Sequence, residues 1–271
     1  MNEKSFLVKH GSNIKLNDFD VSGEDIFNND EETGLKEFKK YRKEIDRLQD
    51  ILYAEHTHRL LIVLQAMDTA GKDGTIRAVF KGVNPQGVRV ASFKGPTPLE
   101  LDHDYLWRIH EKTPGKGEIV IFNRSHYEDV LVVRVHNLVP EEVWKKRYHH
   151  INEFERMLSD EGTSIVKIFL NINLDTQKER LLERINVAEK QWKFEPNDLQ
   201  ERKLWPDYMK AYEEAINETS TKWAPWYIVP ADHNWVRDLI VAGIICKTLK
   251  EMDLKYPKPV DNIEQYKDKL V

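Results

Sequence analysis

The chain has 271 residues, a formal net charge of −5, 40% hydrophobic residues and 32% charged residues. This length suffices for one large domain, and the composition is that of a globular protein with a highly charged surface. The acidic balance argues against nucleic acid and membranes as partners, so a polyanion would have to meet a local concentration of Lys and Arg. A single cysteine, Cys246, cannot form an internal disulfide, which favours a cytoplasmic location.

The distribution of apolar residues predicts alternating strands and helices. Residues 1–30 are polar and weakly periodic, which predicts an arm lying on the surface, and a helix is expected over 33–57. The predicted strands are 59–65, 88–93, 117–122, 165–170 and 226–229; the predicted helices are one ending near 81, 99–111, a long one after Pro140, 175–187, 206–220 and 233–252. The alternation predicts a single α/β domain over 1–271, with a doubly wound parallel sheet of about five strands.

The first strand runs into a glycine-containing loop at residues 67–74, called the phosphate loop below. Such a loop before a helix wraps an anion with backbone N–H groups, and a lysine adds positive charge. The residues predicted to bind phosphate here are Ala70, Gly71, Lys72, Asp73, Gly74 and Thr75. Asp73 replaces the hydroxyl that helps to hold Mg²⁺ in the usual pattern, and Ala66 replaces its first glycine, so a metal must rely on carboxylates such as Asp68. The alternative is a tight turn with an exposed lysine.

Polar and charged residues follow each predicted strand, where ligands of open α/β sheets bind. These residues are Asp68 and Lys72 after the first strand, Lys94 after the second, Asn123, Arg124, Ser125, Glu128 and Asp129 after the third, Asn171 and Asn173 after the fourth, and Asp232 and His233 after the fifth. Lysines, an arginine and carboxylates at one edge are what metal-assisted phosphoryl transfer requires.

Several separated motifs, in order, resemble those of the polyphosphate kinase 2 family over roughly residues 35–255. The motifs are Met-Asp-Thr-Ala-Gly-Lys-Asp-Gly at 67–74, Phe-Lys-Gly-Pro at 93–96, Asn-Arg-Ser-His-Tyr-Glu-Asp-Val at 123–130, and the stretch from Trp192 to Glu213 that contains Trp-Pro-Asp-Tyr-Met-Lys at 205–210. The resemblance implies a fold like that of thymidylate kinase. It also implies phosphoryl transfer between inorganic polyphosphate and a nucleotide.

The second loop, residues 123–129, refines this resemblance. Many family members begin it with a metal-holding aspartate, whereas this chain has Asn123. Asn123 with His126 and Glu128 resembles the subgroup called class III, which phosphorylates nucleoside mono- and diphosphates, here AMP and ADP. Because a neutral amide is a weak Mg²⁺ ligand, Asp68 is the expected direct ligand of Mg²⁺ or Mn²⁺, with Asp129 or Glu128 assisting.

Phosphoryl transfer needs alignment and charge neutralisation more than covalent chemistry. Lys72 and the N–H groups of 70–74 are expected to hold the transferred phosphate, and the planar guanidinium of Arg124 to bridge it. The alternative for Arg124 is a surface ion pair with Glu128. Glu128 is a candidate for choosing acceptors, since its charge interacts differently with mono- and diphosphates. The predicted catalytic residues are Asp68, Lys72, Asn123, Arg124 and Glu128.

Polyphosphate would need a channel lined with positive charge. Arg77 and Lys81 share a helix face at a spacing of four residues, and so do Arg180 and Arg184. The residues assigned to the channel are Arg77, Lys81, Lys94, Arg180, Arg184, Lys193 and Lys203. The alternative is pairing with nearby carboxylates such as Glu183.

Residues 186–205 mix basic and aromatic side chains without clean periodicity, as a lid closing over phosphates would. A nucleic-acid surface also interleaves such residues, but the acidic net charge argues against it. Within this segment Trp205 is expected in the core. Asp198 is expected to cap a helix, with Glu201 at the capping-box position.

Two rival functions are an ATP-dependent nucleoside monophosphate kinase and a non-catalytic polyphosphate or nucleotide sensor. The first shares the fold but would need an ATP site and a hydroxyl after the lysine. We expect a homo-oligomer that binds polyphosphate and nucleoside mono- and diphosphates, and neither nucleic acid nor membranes.

Overall fold

The computed structural model describes residues 3–270, apart from the side chains at positions 3, 27 and 268. The strands of this part are β1 (Arg59–Ala66), β2 (Val88–Ser92), β3 (Ile119–Asn123), β4 (Thr163–Asn171) and β5 (Trp226–Pro230). The α-helices are α1 (Glu31–Glu55), α2 (Lys72–Val79), α3 (Pro98–Leu101), α4 (Trp107–His110), α5 (Val132–Val135), α6 (Glu141–Asp160), α7 (Leu174–Asn186), α8 (Asp198–Lys203), α9 (Trp205–Thr219) and α10 (Asn234–Glu251).

The strands form one parallel sheet in the order β2-β3-β1-β4-β5. The central strand β1 is an apolar run, buried on both faces, as is usual for parallel sheets. The predicted doubly wound α/β sheet of about five strands is confirmed. Leu64 near the end of β1 pairs with Asn123 at the end of β3, so the loops that follow these two strands lie side by side.

Each face of the sheet carries a separate hydrophobic core. One core contains Leu60 and Ile62 of β1 with the apolar stripes of α1 and α10, such as Ile45 and Ile240. The other contains Leu61 and Val63 with side chains of α6 and α9. Successive strand residues point to opposite faces, so a continuous apolar strand supplies both cores. Across residues 3–270, no α-helix combines the length and apolarity that a bilayer span requires.

The structure corrects one predicted helix. Residues 99–111 do not form a continuous helix; they form the short helices α3 and α4 with a break between them. At the break, the Asp104 carboxylate accepts a hydrogen bond from the Leu106 N–H at 2.9 Å. A short acidic side chain thus bonds the local backbone in place of the helical ladder. The predicted lid segment folds as a 3₁₀ helix (Ala188–Lys193) followed by α8.

The described part of the predicted N-terminal arm packs along β5 and α9. Leu7 forms an antiparallel bridge with Tyr227, and the Val8 N–H donates to the Trp226 carbonyl at 2.9 Å. Val8 and Leu16 are buried in the core. The arm therefore covers the free edge of β5, which would otherwise expose unpaired backbone groups. Residues 1 and 2 of the predicted arm lie outside the described residues.

Candidate active site

The phosphate loop joins β1 to α2 through two residues in the left-handed backbone conformation. Thr69 has φ 67° and Gly71 has φ 103°. The Ala70 N–H donates to the Met67 carbonyl at 3.2 Å, so this amide is occupied within the loop. The next four N–H groups, of residues 71–74, have no hydrogen-bond partner in the described part of the chain. Free N–H groups at the start of a helix form an anion site.

Lys72 is folded back onto the end of β1. Its Nζ atom donates to the carbonyl oxygens of Ala66 at 2.8 Å and Met67 at 3.5 Å. Burial lowers the pKa of Lys72, and the negative charge of Asp68 opposes this shift. The ammonium is therefore held by weak neutral acceptors that a phosphate oxygen could replace.

Arg124 connects the second loop to the phosphate loop. Its backbone is left-handed, with φ 61°, which costs about 1–2 kcal/mol for a residue with a Cβ. Its Nη2 atom donates to Asp68 Oδ1 at 2.8 Å. The hydrogen bond of Arg124 is therefore made to Asp68 and not to Glu128, the partner named in the predicted alternative. The carboxylates of Glu128 and Asp68 nevertheless outweigh the effect of burial and raise the pKa of Arg124.

Glu128 lies close to both cations of the site. Burial raises its pKa, while the charges of Arg124 and Lys72 and a hydrogen bond from the Gln65 amide act in the opposite direction. Gln65 also donates to Ser125 Oγ at 3.1 Å. Gln65 of β1 thus contacts the second loop at Ser125 and at Glu128.

Asn123 and Asp73 bond each other across the two loops. Asn123 Nδ2 donates to Asp73 Oδ1 at 2.7 Å, which explains how two residues that depart from the usual patterns fit together. Asp129 instead pairs with Arg147 at 3.1 Å, and burial raises its pKa to about 6. Among residues 3–270, no group of three or more His, Cys, Asp or Glu side chains forms a complete metal cage.

The basic residues assigned to a channel fall into two groups. Arg180 donates to the carbonyl oxygens of Thr69, Ala231 and Asp232 at 3.1, 2.7 and 2.7 Å. Arg184 donates to the Lys193 carbonyl at 3.1 Å and to Asp198 at 2.9 Å.

The other assigned cations are less constrained by the protein. Lys203 contacts Gln200 Oε1 at 3.1 Å, and Lys193 lies over the Trp192 ring at 5.2 Å. The side chains of Arg77, Lys81 and Lys94 have no hydrogen bond or ion pair within residues 3–270.

The predicted capping role of Asp198 is wrong. Asn197 precedes α8 in a helical conformation and makes no side-chain cap, whereas Asp198 pairs with Arg184. Glu201 accepts from the Tyr208 hydroxyl at 2.7 Å and lies 3.0 Å from His136. Both carboxylates therefore tie the lid segment to α7 and α9.

Sequence reasoning missed several buried polar residues around the loops. Arg237 and Asp238 of α10 contact Ala70 and Thr75, and Gln177 donates to the Asp68 carbonyl at 3.2 Å. Beneath the second loop, Lys167 of β4 donates to Glu155 Oε2 at 2.6 Å and to the Tyr127 hydroxyl at 2.8 Å. For Lys167 the available signal was a charged residue inside an otherwise apolar strand.

Comparison with known proteins places this arrangement in a family. Residues 28–257 match the family described as Polyphosphate kinase 2. A relative from Meiothermus ruber named AMP/ADP-polyphosphate phosphotransferase is 54% identical, over 94% of this chain and 96% of its own length. One from Rhodopseudomonas palustris named ADP-polyphosphate phosphotransferase is 42% identical, over 94% of this chain and 92% of its own length.

A solved structure agrees with this placement. The crystal structure of polyphosphate kinase 2 from Arthrobacter aurescens TC1 superimposes with a TM-score of 0.87 at 40% identity, and the match covers 89% of this chain and 86% of that one. The chain therefore belongs to the polyphosphate kinase 2 family.

Proposed function

We propose that the protein transfers the terminal phosphoryl group of inorganic polyphosphate to AMP and ADP, forming ADP and ATP, with Mg²⁺ as the metal ion and Mn²⁺ as an alternative. The observation that carries this proposal is the convergence of Lys72, Arg124 and four free N–H groups at the carboxyl ends of β1 and β3. Membership of the polyphosphate kinase 2 family supports it.

In this proposal the phosphate loop holds the phosphoryl group that is transferred. The N–H groups of residues 71–74 donate to its oxygens, and Lys72 exchanges the Ala66 carbonyl for a phosphate oxygen. A charge-assisted hydrogen bond to phosphate is stronger than one to a neutral carbonyl, so the exchange favours binding. Preorganised donors at the reacting group then stabilise the charge that develops during transfer.

Arg124 and Glu128 serve the acceptor side in this proposal. Arg124 extends from the second loop toward Asp68, so its guanidinium can bridge the transferred group and the acceptor phosphate. Glu128, beside Arg124, adds negative charge near the acceptor. Such a charge interacts less favourably with a diphosphate than with a monophosphate, which makes Glu128 the residue proposed to set acceptor preference.

The residues between the two loops fit a magnesium ion. Asp68 uses Oδ1 for Arg124, and its Oδ2 has no protein donor among the described residues. Asp68 and Asp73 supply hard carboxylate oxygens, and Mg²⁺ is commonly held by one or two carboxylates plus substrate phosphates and water. Bound there, the ion would neutralise charge on the phosphate chain. Asp129 is committed to Arg147, which favours Asp68 as the direct ligand.

Arg77, Lys81 and Lys94 are the residues best placed to bind the polyphosphate chain, because they are available to a ligand. In the proposal they line the path that leads to the phosphate loop, and the lid segment with Lys193 and Lys203 closes over it. Arg180 and Arg184 support the walls of that path, with their donors on backbone carbonyls and Asp198.

Purified protein tests the proposal directly. It is incubated with Mg²⁺, with AMP or ADP as acceptor, and with polyphosphate or ATP as donor, and the nucleotide products are separated by chromatography. Polyphosphate should support formation of ADP from AMP and of ATP from ADP. Product from AMP with ATP alone would instead indicate a nucleoside monophosphate kinase, and binding without turnover would indicate a sensor.

Lys72→Ala supplies the matching control. It should abolish transfer and leave the melting temperature nearly unchanged, because the hydrogen bonds of the Lys72 side chain within residues 3–270 go to just two backbone carbonyls. Lys116→Ala removes an exposed lysine just before β3, at the opposite end of the sheet, and should leave turnover unchanged. A Lys72→Ala variant with near wild-type turnover would contradict the phosphate-loop assignment.

The proposal includes a cytoplasmic homo-oligomer. The single cysteine, Cys246, is buried and supports a reducing compartment. The exposed side chains of Leu99 and Leu101 support a contact between subunits. Light scattering on the purified chain measures the oligomeric state.

A further inference from the structure

Arg237 lies in the first turn of α10 and is 3% exposed. Its Nε and Nη2 atoms contact Asp238 Oδ1 at 2.9 and 2.8 Å. Its Nη1 atom donates to Asn234 Oδ1 at 2.8 Å and to the carbonyl oxygen of Ala70 at 3.3 Å. The guanidinium is therefore fixed by its own helix and reaches the phosphate loop through one N–H group.

The same guanidinium occupies the space that two loop glycines leave open. A Cβ atom at Gly71 would lie 1.9 Å from Arg237 Nη1, and a Cβ atom at Gly74 would lie 3.3 Å from Nη2. The positive φ of Gly71 is a second, independent reason for glycine there. The two glycines thus allow the close approach of an arginine of this chain, on the side where their side chains would have been.

The contact with Ala70 fixes the direction of the next amide. In a trans peptide the C=O and the N–H point in opposite directions. With the Ala70 carbonyl turned toward Arg237, the Gly71 N–H points away from Arg237, into the loop. The N–H groups of residues 72–74 point out of the N-terminal end of α2, where phosphate would bind.

Asp238 connects this arrangement to α2. Its Oδ1 atom also accepts from the Thr75 hydroxyl at 3.2 Å, so one carboxylate holds both Arg237 and the first turn of α2. The loop and the helix that follows it are therefore attached to one anchor in α10. Their relative position determines whether the four N–H groups converge on one phosphate.

We infer that Arg237 is a positioning residue: packed behind Gly71 and Gly74 and held by Asp238 and Asn234, it sets the orientation of the phosphate-loop amides for transfer. This inference rests on the proposed function, because those amides act on the transferred phosphoryl group. Arg237 itself contacts neither substrate. Its effect should therefore appear in the rate of transfer more than in substrate affinity.

The test compares Arg237→Met and Arg237→Lys with the wild-type chain. Arg237→Met should lower kcat by about tenfold or more, while KM for polyphosphate and for AMP changes by less than about threefold. Arg237→Lys keeps a cation that can donate to the Ala70 carbonyl and should recover part of kcat. Arg89→Met is the matched control, since Arg89 also donates to backbone carbonyls and a carboxylate but lies at the start of β2.

Three results decide the inference, all measured below the melting temperature of each variant. A wild-type kcat in Arg237→Met overturns it. If Arg237→Met does not fold, Arg237→Lys decides, and a wild-type kcat there overturns it while a reduced kcat with unchanged KM supports it. A kcat loss in Arg89→Met equal to that in Arg237→Met also overturns it. Wild-type protein that does not consume polyphosphate would contradict the proposed function instead.

Discussion

Two pairs of basic residues four positions apart, Arg77 with Lys81 and Arg180 with Arg184, have different surroundings in the structure. Arg77 lies on α2, but Lys81 follows the end of that helix, so the predicted shared helix face of these two residues is wrong. Neither side chain has a hydrogen bond or ion pair within residues 3–270. On α7, Arg180 and Arg184 donate to backbone carbonyls, and Arg184 also pairs with Asp198. Two pairs with the same spacing in the sequence are thus two cations without a protein partner near the end of α2 and two cations held by structural contacts on α7.

The difference shows that spacing locates a charge but does not show whether a ligand can use it. Helical periodicity places two side chains on one face. Their availability depends on what the neighbouring elements present, here the carbonyls of Thr69, Ala231 and Asp232 opposite Arg180. The comparison therefore predicts that variants of Arg180 and Arg184 affect stability and the geometry of the phosphate loop, whereas variants of Arg77 and Lys81 affect substrate binding.

Arg180→Ala should have the largest effect. Three backbone carbonyls would lose a charged donor, which we expect to lower the free energy of unfolding by about 2 kcal/mol. Turnover should also fall by about a hundredfold, because Thr69 lies in the phosphate loop. Chemical denaturation and steady-state kinetics measure the two effects. If Arg180→Ala has wild-type stability and only a raised KM for polyphosphate, Arg180 binds polyphosphate and does not have the structural role assigned to it.

Replacement of both Arg77 and Lys81 by Ala should act on the polyphosphate alone. KM for polyphosphate should rise by about tenfold, and the stability should change by less than about 0.5 kcal/mol, as for surface substitutions. Added salt should reproduce the loss, because it screens exposed charges. The control is the double variant Lys112→Ala, Lys116→Ala, which also removes two positive charges but from the segment that precedes β3. Equal weakening of polyphosphate and nucleotide would place Arg77 and Lys81 outside the channel.

The fold could be predicted because its dominant signal is local. A parallel strand buried on both faces is a mostly apolar run, as β1, β3 and β5 are. Where a local polar group competes with the backbone, as Asp104 does at Leu106, the predicted helix 99–111 breaks. The periodicity of apolar residues carries no information about this competition between a side chain and the helical backbone hydrogen bonds.

The loops of the site could be predicted, but their supports could not. Lys72 and Arg124 follow strands directly, so position in the chain identifies them. Asp238 contacts Thr75 across 163 residues of sequence, and nothing local to α10 indicates this contact. The same holds for Lys167 and Glu155, whose charges are compatible with burial only because they pair.

Glu128→Ala probes a third kind of charge, one whose neighbours are Arg124 and Lys72 of the site itself. Removal of the carboxylate should change the ratio of kcat/KM for AMP to that for ADP by roughly fivefold, about 1 kcal/mol of differential transition-state binding. Initial rates with each acceptor at fixed polyphosphate give the ratio. An unchanged ratio would remove Glu128 from the acceptor site.

Asn123→Asp should alter the Mg²⁺ dependence, because it places an anion beside Asp73.

The smallest expected effect is a shift in the alkaline limb of the pH profile. Lys72 must be charged to bind phosphate, and its pKa is lowered by burial and raised by Asp68 and Glu128. Activity should therefore fall, as pH rises, at a lower pH than an ordinary lysine would give. Glu128→Gln removes one supporting negative charge, so the Lys72 pKa should fall further.

The profile of kcat/KM for AMP measures this shift, because it reports groups of the free enzyme. The limb of Glu128→Gln should lie at lower pH than that of the wild type, whatever the change in absolute rate. Glu118→Gln, which removes a carboxylate just before β3, should leave it in place. Circular dichroism across the same pH range separates titration from unfolding. If the alkaline limb of Glu128→Gln stays fixed or moves to higher pH, the charge of Glu128 does not raise the pKa of Lys72. The charges of the phosphate loop and of the second loop would then titrate independently.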